Sequence, residues 1–252
     1  MSEVAGFADP QSVLDSWPDW GLGLTHRPRL LGPVPGGRTN RNYRLGASGL
    51  ERDLLLRINH PDPARLGIDR EQERQILALT ARAGLGRPVS YWDPQARFTL
   101  FPFLEACPWT QDDMAQPRQR RRLWPMLERL TSLTADLPRR RYSAYLLGYW
   151  RQLERQGKTD PRLRRAWSDF FPRLTDFDAA PWQARLTHHD LIADNILDDG
   201  QRLWLIDWEY AAFGHPDIDV WSLDPDAQLD PMIPEIMHWI NNLWERLMDI
   251  KW

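Results

Sequence analysis

Residues 186–219 read LTHHDLIADNILDDGQRLWLIDWEYAAFGHPDID, and the spacing of their polar groups decides how the rest of the chain is read. His188 and Asp190 form H-x-D, Asn195 follows five residues after the aspartate, and Asp207 stands beyond an apolar run in I-D-W-E. Transfer of a phosphoryl group to a hydroxyl calls for these residue types. A carboxylate takes the proton of the attacking hydroxyl, and a carboxamide with a second carboxylate supplies hard oxygen ligands to Mg²⁺ between nucleotide phosphates. Asp190 fits the first role; Asn195 and Asp207 fit the second. Ile196, Leu197, Leu203, Leu205 and Ile206 frame a hairpin that brings the second carboxylate back along the first strand.

The order H-x-D, four residues, N, then D after a following strand is that of the protein-kinase catalytic loop and Mg²⁺ segment. Trp208 and Glu209 stand where protein kinases carry Phe and Gly. With that departure, H-x-D-L-x-x-x-N-I-L followed by L-I-D-W-E-Y-A resembles the aminoglycoside phosphotransferase and choline kinase superfamily, nearest its choline, ethanolamine and thiamine kinases. The resemblance implies an α+β, bilobal protein-kinase-like fold. A small antiparallel-sheet N-terminal lobe with one helix (1–104) would precede a mainly helical C-terminal lobe (105–252) with the catalytic loop and acceptor site. It also implies ATP and Mg²⁺ as cofactors and a small-molecule alcohol as substrate. A capped turn in an unrelated α/β protein would carry no matching motifs upstream.

A chain of 252 residues is long enough for one two-lobed domain or two small ones. Its net charge of −3 gives no reason to expect nucleic acid. The basic runs at 120–122 and 139–141 read as solvated helix ends. A single cysteine, Cys107, excludes an intrachain disulfide and fits a reducing compartment. No segment has the length of a membrane span, and MSEVAGFADP has no basic start followed by an apolar run, so a cytoplasmic protein is expected. Oligomeric state is not legible.

Upstream, two β-compatible runs, 29–34 and 42–45, flank Gly36, Gly37, Arg38, Thr39 and Asn40, a turn able to expose backbone N–H groups to phosphates. G-G-x-T-N-x-N-Y is similar to the nucleotide loop of choline-kinase-like proteins, which puts Gly36, Gly37, Thr39 and Asn40 at the nucleotide. The run 53–58 supplies LLLRI, a buried strand with one cation. Protein kinases hold the α and β phosphates with a strand lysine; the only lysines here, Lys158 and Lys251, lie elsewhere. Arg57 takes that place, as arginine does in choline-kinase-like proteins. A helix over 70–83 follows, capped by Asp69 and ended by Gly84. Glu73 shares a face with Ile76, Leu77 and Thr80, opposite Glu71, Arg74, Gln75 and Ala78. An inward carboxylate needs a cation. Arg57 is the expected partner, and Arg70 with Glu73 also matches the family's R-x-x-E. Strands over 89–92 and 98–103 lead to residues 104–106, where the resemblance puts the adenine-binding hinge and hence Phe103 and Glu105.

Helical patterns over 118–136, 145–154, 162–174 and 231–252 make up the second half. Further roles come from the resemblance. His188 and Asp219 would support the catalytic loop, the latter by accepting hydrogen bonds from its backbone, whereas His189 has no family role and is expected to face solvent or a neighbour. Most relatives continue with more helices over the acceptor, so a shallower or shared acceptor site is expected. Glu209, Trp208, Tyr210 and Trp221 are the candidate acceptor contacts. Rings among fourteen tryptophans could recognise a quaternary ammonium or thiazolium, although the stripe with Trp239 and Trp244 reads as core. Asp217, Asp219, Asp224, Asp226 and Asp230 could instead attract a polyamine or aminoglycoside. An aminoglycoside or sugar kinase and a nucleotide-binding pseudokinase scaffold are the alternatives.

Overall fold

The structure is a computed structural model and describes residues 6–224 and 226–249. In chain order the helices are α1 (Pro10–Asp15), α2 (Arg70–Arg82), α3 (Gln111–Ala115), α4 (Pro117–Ser132), α5 (Tyr142–Arg155), α6 (Pro161–Ala179), α7 (Asp217–Leu223) and α8 (Met232–Leu247). The strands are β1 (Arg29–Val34), β2 (Arg41–Gly46), β3 (Leu54–Ile58), β4 (Tyr91–Trp92), β5 (Phe98–Pro102), β6 (Cys107–Pro108), β7 (Arg185–Thr187), β8 (Ile196–Asp198), β9 (Leu203–Leu205) and β10 (Ala212–Gly214). The helix expected over 231–252 is thus α8, and residues 250–252 lie outside the described part.

The chain divides into two compact units. The first comprises 6–63, Arg74–Asp113 and Ala193–Ile206, and is built on an antiparallel sheet of order β1-β2-β3-β5-β4. β3 lies at its centre, between β2 and β5, and every residue in it is buried, which explains the unbroken LLLRI. Leu54, Leu56 and Ile58 alternate onto one face with Leu45, Phe98 and Leu100, where Val13 and Leu14 of α1 and Trp20 close the core. Leu55 and Arg57 take the opposite face.

The second unit comprises Ala64–Glu73, Met114–Ile192 and 207–249. Its core joins α5, α6 and α8: Trp150 stacks on Trp167 at 4.6 Å and Trp239 on Phe170 at 5.1 Å. Much of the tryptophan content is spent there. The chain does not divide at a single cut near residue 104. β8 pairs with β9 on one side and with β6 on the other, which brings 193–206 into the first unit. Ala64–Glu73 belongs to the second unit because Tyr149 Oη and Gln152 Nε2 donate to the carbonyls of Leu66 and Arg65.

Candidate active site

In the second unit β7 and β10 pair antiparallel and launch the loop that carries Asp190. Asp219, at the start of α7 and 2% exposed, accepts the backbone N–H groups of His188 (2.7 Å) and His189 (3.0 Å), one on each carboxylate oxygen. Burial pushes its carboxyl up to about 6, against the lowering by those two bonds and with a further rise from Asp190. His188 is fully buried, its ring 4.6 Å from that of Trp208.

His189 does not face solvent. It is buried at φ +64°, a left-handed conformation that costs an ordinary L-residue about 1–2 kcal/mol. Its Nε2 lies 3.0 Å from Tyr142 Oη, and its Nδ1 lies 3.2 Å from both the carbonyl and the hydroxyl of Thr187. Burial holds the imidazole well below its ordinary value, so it is neutral.

Asp207 follows β9 after one residue, also left-handed at φ +64°, and starts a 3₁₀ turn over Trp208–Tyr210 to which its side chain gives no capping bond. In the first unit Asn195 ends another such turn, Ala193–Asn195, and its carbonyl accepts from Ile206 N–H at the base of the β8–β9 hairpin. Among the described residues no group of three or more His, Cys, Asp or Glu could hold a metal by itself. Mg²⁺ takes most of its ligands from phosphates and water and needs only one or two protein oxygens. A carboxylate and a carboxamide of this kind fit it.

The phase read from the sequence of α2 is the phase observed. Glu73, Ile76, Leu77 and Thr80 are buried, while Glu71, Arg74, Gln75 and Ala78 are exposed. Asp69 caps the helix through the N–H groups of Glu71 and Gln72. Within the second unit the guanidinium of Arg70 bridges Glu73 (2.7 Å) and Glu209 (3.0 Å), all three side chains at most 8% exposed. This triad was visible in the sequence only as an i,i+3 pair. Arg57, in the first unit, is 5% exposed on a central strand, 5.6 Å from the ring of Phe101, and is therefore no edge residue.

The phosphate-loop candidates lie in the turn between β1 and β2. Gly36 and Gly37 have φ of +94° and +81°, and a Cβ on Gly37 would meet Asn42 Nδ2 at 3.1 Å. Thr39 and Asn40 are buried, and Asn40 Oδ1 accepts the backbone N–H of His60, so its side chain shapes the turn. At the linker, Phe103 N–H donates to the carbonyl of Asp53 at 2.8 Å. That bond joins the residue before β3 to the residue after β5. The side chain of Glu105 pairs with Arg44 at 2.6 Å, and Arg44 also holds Asp53 at 2.7 Å and covers the ring of Phe103. These residues line a cavity of about 530 Å³.

The acceptor candidates separate by burial. Trp208 is 1% exposed, its ring 4.6 Å from that of His188, and Glu209 is 3% exposed and pairs with Arg70. Tyr210 and Trp221 keep partial exposure, and Tyr210 Oη accepts from Trp244 Nε1. Trp239 is core. The aspartates are largely structural: Asp219 holds the loop, Asp217 accepts from Asp230 N–H, and Asp230 from Met232 N–H at the start of α8.

The sequence model of the phosphotransferase enzyme family matches residues 31–247. Protein LicA of Haemophilus influenzae is 27% identical over 207 residues, 77% of this chain and 57% of that protein, so the chain spans little more than half the length of this relative. Among solved structures, the choline kinase LicA from Streptococcus pneumoniae aligns with a TM-score of 0.67 at 20% identity, over 88% of this chain and 86% of that one. A spectinomycin phosphotransferase solved with ADP and spectinomycin aligns with a TM-score of 0.59 at 14% identity, over 95% and 87%. At such identities the likeness is one of fold, and the fold is kinase-like.

Proposed function

The chain belongs to the phosphotransferase enzyme family, and from that premise we propose an ATP- and Mg²⁺-dependent kinase acting on a hydroxyl of a small cationic metabolite of the choline, ethanolamine or thiamine kind. The observation that carries the reading is the loop itself: a buried carboxylate, Asp219, fixes two successive backbone N–H groups immediately before Asp190. A base held this way is pre-organised rather than recruited. Asp190 orients the acceptor hydroxyl and accepts its proton as the oxygen bonds to the γ-phosphorus and the bond to the β–γ bridging oxygen breaks, releasing ADP. Asn195 and Asp207 would hold Mg²⁺, which neutralises charge on the phosphates. Arg57, with Glu73, steadies the phosphates, and the turn with Gly36 and Gly37 offers backbone N–H groups to them.

The W-E-Y-A sequence and the arginine at position 57 favour the choline and thiamine group. The aspartates that would have attracted an aminoglycoside are mostly engaged in loop and helix-end bonds. A scaffold role is disfavoured because every catalytic position is present. The test is release of ADP with Mg²⁺ across amino alcohols, thiamine, sugars and aminoglycosides. Asp190→Asn should lower kcat by about 10²-fold or more with nucleotide affinity little changed. Near-normal turnover by this variant sinks the assignment.

A further inference from the structure

The left-handed backbone at His189 comes directly before Asp190, and its side chain sits in a closed chain of hydrogen bonds whose proton order can be worked out. The Thr187 carbonyl, 3.2 Å from His189 Nδ1, can only accept, and Tyr142 Oη, which accepts from His215 N–H at 2.9 Å, keeps its single proton for the other ring nitrogen, Nε2, at 3.0 Å. Burial keeps that phenol protonated. His189 is neutral, and with Nε2 accepting, its proton lies on Nδ1 and points to the carbonyl and hydroxyl oxygens of Thr187. The Thr187 hydroxyl in turn donates to Ala212 O at 3.1 Å. The order runs in one direction, from His215 through Tyr142 of α5, His189 of the loop and Thr187 of β7 to Ala212 of β10.

Two more observations lock the ring. A Cβ on Gly214 would stand 2.5 Å from His189 Cε1 and Nε2 and from Tyr142 Oη, so a glycine in β10 leaves the space that these two side chains fill. Tyr142 is itself fixed at the first turn of α5, where Asp178 accepts the N–H groups of Tyr142 (3.1 Å) and Ser143 (2.7 Å). The backbone N–H of His189 is held from the other side by Asp219.

We infer that Tyr142 and His189 are positioning residues for Asp190: the Tyr142 hydroxyl, acting through the His189 ring, holds the left-handed turn that aims the base. This rests on the reading of Asp190 given above. A bare glycine would permit the same φ but would not hold it, whereas an anchored histidine adopts it and stays.

The test combines a spectroscopic and a kinetic readout on the full chain. The ¹⁵N imidazole spectrum of the wild type should show His189 as the neutral Nδ1–H tautomer, and Tyr142→Phe, which cannot donate to Nε2, should move it away from that form. With MgATP and choline, or water where choline is not used, ADP release by Tyr142→Phe should fall about tenfold in kcat, the scale of a slightly misplaced base. KM for ATP should stay within about twofold, the pattern of an interaction that acts at the chemical step. In a His189→Gly background the same substitution should add nothing, because its route to Asp190 is gone. An Nε2–H tautomer in the wild type overturns the chain of bonds whether or not any variant folds. A wild-type kcat in Tyr142→Phe, or full additivity with His189→Gly, overturns the positioning role. If the wild type releases no ADP with any acceptor, the phosphotransfer reading fails and the positioning role with it, while the tautomer still decides whether the network exists.

Discussion

Replacing Asp219 by asparagine separates what this residue contributes to the catalytic loop from what its burial costs the fold. Its carboxyl is raised from 3.8 to about 6, first by burial, against the two backbone N–H groups that favour the anion. At about 1.4 kcal/mol per pH unit, the buried anion costs on the order of 3 kcal/mol at neutral pH relative to a protonated carboxyl. The sign follows directly. Between 3.8 and 6 the folded chain holds a proton that the unfolded chain has lost, so this group's contribution to stability falls as pH rises through that window and is constant above it. The carboxamide of the Asp219→Asn variant would remove the charge but keep one acceptor, turning an NH₂ toward the second loop N–H. Losing one charge-assisted bond costs about 1.5–3 kcal/mol, close to the relief from the lost charge. Asp219→Asn is therefore expected to shift global stability at pH 8 by less than about 2 kcal/mol, a few degrees in Tm, while the loop before Asp190 loses half its clamp and kcat falls by about 10²-fold. The wild type should also lose turnover as pH falls through about 6, when Asp219 takes up its proton, and the variant should lack that limb. Thermal unfolding and a kcat profile from about pH 5 to 9 are the assays. A variant with normal kcat, or one whose low-pH limb matches the wild type, refutes the reasoning.

Glu73→Ala should impair both nucleotide binding and turnover, because it strips one of two carboxylates from the buried Arg70, whereas Glu71→Ala on the exposed face should be nearly silent; a sensitive Glu71 would contradict the helix phase. If Glu73 also fixes Arg57, the double variant Arg57→Ala, Glu73→Ala should lose less than the sum of its parts, and strict additivity in kcat/KM would remove the proposed phosphate clamp. Asp207→Asn should raise the Mg²⁺ concentration needed for half-maximal ADP release, and an unchanged metal dependence would end its role as a ligand.

The sequence carried whatever depends on period and spacing. The buried run of β3 and the face of α2 that turns Glu73 inward follow from repeats of about 2.0 and 3.6 residues. A side chain's direction is fixed by its own backbone, so a linear pattern is enough to read it. Partners are another matter. Arg70 finds Glu209 139 positions away, Tyr142 finds His189 47 positions away, and Phe103 N–H goes to Asp53 across two strands. None of these separations has a local signature. The sequence leaves His189 between solvent and a neighbour because a histidine after H in H-x-D predicts neither a left-handed turn nor the glycine beside Tyr142 that makes room for its ring. The place of Trp208 in the motif says where the backbone runs, not that the ring of His188 packs against the indole. The sequence determined which faces turn inward; the packing of elements distant in the chain decided what each buried polar group meets there, because a buried donor or charge must be satisfied by whatever the fold brings within about 3 Å.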